Sequence, residues 1–196
     1  MISRLILIMC IVAAHAASQS VPKQPTAQTI GKYAASVDSA MQKDTTRFHF
    51  CAKVTSKQSL VRVRSRRDWP EETEVSYCAF FDRAGHLVYF CQSPVSESGD
   101  WHMLCEHYFN ADGAVLLMSY SVSGFNSECV DVMRQETRLF FDTNFNLIGK
   151  ESSLTDQESR PISGEGCEFN YKFPFTVYPE VRDIPESIRK ALRVPE

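Results

Sequence analysis

Apolar residues recur at steps of three and four between Thr26 and Lys43, at Ile30, Tyr33, Ala34, Val37 and Met41. That spacing is the stripe of an amphipathic helix, which needs a sheet or a second helix to lie on. From Phe48 the period falls to two. Phe48, Phe50, Ala52 and Val54 share one face, and His49, Cys51 and Lys53 the other, as on a half-buried strand. The stretch Ser76–Gln92 then carries two aromatic and β-branched arms around Asp82-Arg83-Ala84-Gly85, with Cys78 on one arm and Cys91 on the other. Strand formers on both sides of a short polar residue and a glycine predict a β-hairpin. The same pattern returns at Phe109-Asn110-Ala111-Asp112-Gly113-Ala114-Val115, and again at Phe141-Asp142-Thr143-Asn144-Phe145-Asn146-Leu147, where Phe145 takes the glycine's place.

Three such hairpins predict an antiparallel meander. Further strands are expected over Leu60–Arg66, Glu72–Phe81, Trp101–Phe109, Ala114–Val122, Phe125–Phe141, Leu147–Leu154 and the alternating run Phe169–Val177. Asp183 followed by Glu186 has capping-box spacing ahead of Ile188, Ala191 and Leu192, which predicts a short terminal helix. The fold class read from this pattern is α+β. An antiparallel β-meander of three or more hairpins carries an N-terminal amphipathic helix, a short C-terminal helix and disulfide braces.

The repeated aromatic–Asp–turn–Gly–x–aliphatic unit is similar to the tyrosine–aspartate hairpin repeats and related sheet repeats of bacterial surface and toxin-associated proteins. The likeness is confined to those three stretches, and no function or residue is carried over from it.

The first residues change the expected compartment. Arg4, an apolar run from Leu5 to Ala14 and then Ala14-His15-Ala16 have the three parts of a secretory signal peptide, cleaved near Ala16. The run is too short to span a bilayer, which needs about 20 apolar residues. The expected organisation is a signal peptide over 1–16, a disordered leader over 17–25, and one α+β domain over 26–196. The expected location is the periplasm or outside the cell, with no transmembrane segment. Cleavage would remove Cys10, leaving Cys51, Cys78, Cys91, Cys105, Cys129 and Cys167, an even set that reads as up to three disulfides. A four-residue loop Arg83–His86 would set Cys78 opposite Cys91, so that pair is the first expected bridge. A formal charge of −3 gives no basic surplus for nucleic acid, so no nucleic-acid partner is expected.

Candidate chemistry is sparse. His102, Cys105 and His107 are the nearest approach to a metal motif, but strand alternation puts His102 on the face opposite the other two, so no metal or other cofactor is expected. No Gly-x-Ser-x-Gly elbow or phosphate-binding glycine loop occurs. Arg62, Arg64 and Arg66 form a basic row that could hold an anion, or could pair with an acidic run in which Arg66 faces Glu72 and Arg64 faces Glu74. Trp69, between Asp68 and Pro70 at the tip of that expected hairpin, is the candidate contact residue, because tryptophan and arginine are enriched at binding hot spots. The expected function is a non-enzymatic exported domain that binds a protein or polymer. The alternative is a secreted hydrolase whose carboxylates or histidines converge only in the fold.

Overall fold

The computed structural model describes residues 24–57, 59–126, 129–164, 167, 169 and 175–195. The proposed signal peptide and most of the proposed leader therefore lie outside the described residues. The helix α1 spans Ala27–Lys43, and its start is fixed by a reciprocal cap in which Thr26 Oγ1 accepts from the Thr29 N–H and Thr29 Oγ1 accepts from the Thr26 N–H. The strands β1 (Phe48–Val54), β2 (Val61–Val63), β3 (Thr73–Phe81), β4 (Leu87–Pro94), β5 (Trp101–Phe109), β6 (Val115–Asn126), β7 (Val130–Phe141) and β8 (Leu147–Asp156) precede the helix α2 (Glu186–Leu192). All eight strands form one antiparallel sheet in the order β2-β1-β3-β4-β5-β6-β7-β8, a larger sheet than three hairpins require.

Each face of the sheet has its own core. On one side Ile30, Ala34 and Val37 of α1 bury against Phe80, Tyr89, Tyr108, Leu117 and Phe140. On the other, Ile184, Ile188 and Leu192 from the C-terminal segment join one buried cluster with Phe90, Met103, Phe109, Met118 and Phe141. A strand covered on both faces keeps the alternating pattern only where one cover ends, and this sets where polar positions survive.

The hairpin turns share one construction. Asp82 Oδ1 accepts from the N–H groups of Ala84 and His86, Asn110 Oδ1 from Asp112 and Ala114, and Asp142 Oδ1 from Asn144 and Asn146. A fourth copy follows β8, where Asp156 Oδ1 accepts from Glu158 and Arg160. In each copy the residue three beyond the Asp or Asn has positive φ: Gly85 at 90°, Gly113 at 83°, Phe145 at 62° and Ser159 at 64°. Phe145 bears this without a glycine's freedom because its ring stacks on Phe141 at 4.5 Å.

Several expectations are corrected. The loop of the first hairpin is three residues long, not four, because the Asp82 N–H bonds to the His86 carbonyl. A one-residue bulge between Phe80 and Phe81 of the ladder then restores the register, so Cys78 still stands directly opposite Cys91. The arginine–glutamate ladder does not form: β1 inserts between β2 and β3, so the arginine run and the acidic run are not neighbours. Glu74 pairs instead with Lys53 at 2.6 Å. The second strand shortens to Val61–Val63, and Arg66 enters a 3-10 turn over Arg66–Asp68. The run Phe125–Phe141 is divided between the end of β6 and β7. Of the expected strand Phe169–Val177, residues 170–174 lie outside the described residues, and Phe175–Val177 are not in a strand. Asp183 does not cap α2; its Oδ2 accepts from the Glu180 N–H in the preceding 3-10 turn, and Pro185 occupies the helix N-cap.

The cysteines divide into three kinds. Cys129 and Cys167 form a disulfide. Cys78 and Cys91 are unbonded, with their Sγ atoms 2.7 Å apart. Cys51 and Cys105 lie in one cross-strand row, with Tyr77 and Gln92 between them. Three strand spacings of about 4.8 Å put them far beyond the roughly 7 Å that a disulfide spans, so a third bridge is not formed.

His107 is wholly buried beside Phe90, Phe109 and Tyr178. The Tyr178 N–H donates to Nε2, which leaves the proton on Nδ1, and that atom has no partner among the described residues. Burial holds this imidazole down to about 4. Its folded value is below the unfolded one, so the unfolded chain takes up the proton first as the pH falls. Stability from this residue is complete above about 6.5 and is lost as the pH drops towards 4, by about 3 kcal/mol in all. Denaturant titrations from pH 7.5 to 4 should show that loss, and His107→Gln should remove it while leaving the carboxylate contribution at lower pH. A second test addresses the third turn. Phe145→Gly should change stability by less than about 1 kcal/mol, because relief of the left-handed backbone offsets the lost ring stacking.

Candidate functional site

The rows of side chains on the α1 face run across the strands and change character from one end of the sheet to the other. Nearest the first three turns, Phe80, Tyr89, Tyr108, Leu117, Phe140 and Gly149 make an apolar row. The next row is Cys78, Cys91, Glu106, Ser119, Arg138 and Glu151. Beyond it, Leu104 is followed by Ser121, Glu136 and Ser153, and then His102 by Ser123, Arg134 and Thr155. The first two rows lie under α1. Ala27 packs on Gly149, the Tyr33 hydroxyl donates to the Phe109 carbonyl at 2.5 Å, and Tyr108 donates to Asp38 at 2.9 Å.

The last two rows are left open and line a trough of about 450 Å³. Hydroxyl and charged groups (Ser121, Ser123, Ser153, Thr155, Arg134 and Glu136) share its lining with apolar surface of similar extent. Among the described residues the Arg134 side chain has no ion-pair or hydrogen-bond partner, so it meets a ligand without first breaking such a contact. Glu136 supplies an acceptor two residues along the same strand, and His102 stands across the row. Phe125 continues the same face of β6 past Ser121 and Ser123, and is 71% exposed. That is an unusual degree of exposure for a phenylalanine on a sheet.

Glu106 marks the boundary between covered and open rows. Tyr89 donates to its Oε1 at 2.8 Å. Burial pushes its carboxyl above the usual range, and the Asp38 and Glu136 carboxylates act the same way, against the Tyr89 hydrogen bond and the Arg138 guanidinium.

The residues singled out in the sequence lie elsewhere. Trp69 is not at a hairpin tip, because its segment crosses β1 to reach β3; it stands edge-on to Phe50 with ring centroids 6.4 Å apart and is 39% exposed. Arg62 sits opposite Cys51 on the edge strand β2 and Arg64 follows it, while the backbone of Arg66 turns away. His102 lies on the face opposite Cys105 and His107, and among the described residues no group of three or more His, Cys, Asp or Glu side chains could hold a metal ion. Among the described residues, no helix is long and apolar enough to cross a membrane. The trough is not found from the sequence, although Ser121 and Ser123 alternating on one strand are its visible trace.

No protein-family model, curated protein or solved structure matches the chain.

Glu106 provides a test of the boundary. Its folded value is raised, so the protonated form is favoured in the fold and stability is lost as the pH rises through that value. Glu106→Gln should therefore be more stable than the parent at pH 7.5 and equal to it near pH 3.5. Urea titrations at the two pH values measure the difference, and an unfavourable effect at pH 7.5 would contradict the burial argument.

Proposed function

We propose that the chain is an exported, non-enzymatic binding domain of the bacterial envelope or the extracellular space, and that its ligand is a carbohydrate polymer lying in the trough. Export rests on the sequence of Met1–Ala16. The ligand class rests on one observation: an open cavity lined by serine and threonine hydroxyls together with Arg134 and Glu136, whose side chains have no ion-pair partner among the described residues. A chain of vicinal hydroxyl groups is both donor and acceptor at every unit, and such a floor answers both. An apolar ligand would leave these groups desolvated and unpaired, at roughly 1–3 kcal/mol each. Phe125, at the end of the same face, offers a flat apolar plate to the C–H face of a sugar ring.

The hydrolase reading has one observation in its favour, the raised carboxyl of Glu106, which is the proton-holding form that a general acid needs. It lies beneath α1 rather than in the trough, and this favours a structural use of the acid.

The test is retention on immobilised chitin, cellulose and polygalacturonate columns, with soluble hexasaccharides titrated by calorimetry. At least one should be bound. Arg134→Ala combined with Phe125→Ala should weaken that binding tenfold or more, about 1.4 kcal/mol, with little change in Tm. Binding unchanged in the double variant, or no saccharide bound, would overturn the assignment. Release of reducing ends by the parent, abolished by Glu106→Gln, would establish the hydrolase instead.

A further inference from the structure

The two cysteines of the first hairpin are placed for a bond that the structure leaves open. Cys78 and Cys91 are directly opposed on β3 and β4, and their Sγ atoms touch at 2.7 Å. Opposed residues in an antiparallel pair have Cα atoms about 4.5–5.5 Å apart, within the roughly 4.4–6.8 Å that a disulfide requires. Both lie under α1, at 8% and 9% exposure, among Phe80, Val88 and Tyr89. The Cys91 hydrogen bond and burial raise the Cys78 thiol well above its ordinary value, so little of the nucleophilic thiolate exists in the folded state.

We propose that Cys78–Cys91 is a disulfide site that is filled during folding, before α1 docks, and is sealed afterwards. The oxidant is a disulfide, either of a protein thiol oxidase or a small molecule such as glutathione disulfide. One cysteine, as thiolate, attacks a sulfur of that disulfide and expels a thiolate, giving a mixed disulfide. The second cysteine then displaces the remaining thiol. The pair loses two electrons and two protons, and the oxidant's disulfide is reduced to two thiols. Register and cover act in sequence: the hairpin brings the sulfurs together, and α1 then excludes both oxidant and reductant.

Refolding of fully reduced chain in glutathione disulfide, followed by denaturation, alkylation and peptide mapping, tests this. The bridged Cys78–Cys91 peptide should appear in stoichiometric yield, with Cys51 and Cys105 alkylated. Glutathione disulfide added to the reduced chain after folding should form the bridge at least tenfold more slowly, because it must await opening of α1. Alkylated Cys78 and Cys91 after oxidative refolding would overturn the site, and equal rates before and after folding would overturn the seal. Cys78→Ala/Cys91→Ala supplies an independent measurement. The oxidised parent should lose about 6–12 °C more in Tm on complete reduction than this variant does. An equal loss in both would mean that the bridge is absent, and if the variant does not fold, the mapping of the parent decides alone.

Discussion

A carboxylate or amide oxygen accepting two backbone N–H groups is the contact from which this sheet is laid out. It recurs at Asp82, Asn110, Asp142 and Asp156, and in each case it holds a three-residue loop whose last residue turns left-handed. Such a loop offsets the two arms by one residue. A bulge just inside the ladder restores the offset in the first three copies, between Phe80 and Phe81, between Tyr108 and Phe109, and between Phe140 and Phe141. Without the bulge every side chain beyond the turn would face the other way, and neither core could form.

With the register set, the α1 face becomes a graded surface. Aromatic rings lie nearest the turns, sulfur and carboxyl groups come next, and hydroxyls lie furthest away. The helix covers the aromatic row and reaches over the next, which also carries Glu106, Ser119 and Arg138. Glu106 stands at the helix border, where a tyrosine hydroxyl is directed at it. The other face is covered along more of its length, because the chain beyond β8 returns over it and brings Tyr178 to His107 and Thr176 to Gln92.

Local features were legible in the sequence. The helical stripe and the positions of the turns follow from spacing and from turn chemistry within about twenty residues, whereas the opposition of Cys78 and Cys91 comes from a three-residue loop and a bulge rather than from the four-residue loop that the spacing suggests. The arginine ladder does not form because nearness in sequence is not nearness in the sheet. β1 had a prior claim on β3, with seven opposed residue pairs against the three that it makes with β2. The trough could not be read either. His102, Ser123, Arg134 and Thr155 come from four strands, and each alone is an ordinary polar residue on a strand. Only the shared register makes them a surface. Phe145 shows the converse: a residue other than glycine holds the left-handed position, and ring stacking on Phe141 accompanies the same turn.

The length of α1 has a consequence for the history of such a protein. Its 17 residues extend about 25 Å. Ala27 packs on Gly149 of β8, and Met41 joins the same buried cluster as Phe48 of β1, a strand six spacings or roughly 29 Å from β8. Helix and sheet are cut to one measure. Hairpins of this kind invite tandem duplication, since each copy carries its own turn and bulge and disturbs no neighbour. A duplicated unit here would push two aromatic rungs past the end of the helix and into water. The helix therefore acts as a ruler, and the number of repeats can grow only if a helix of matching length grows with it.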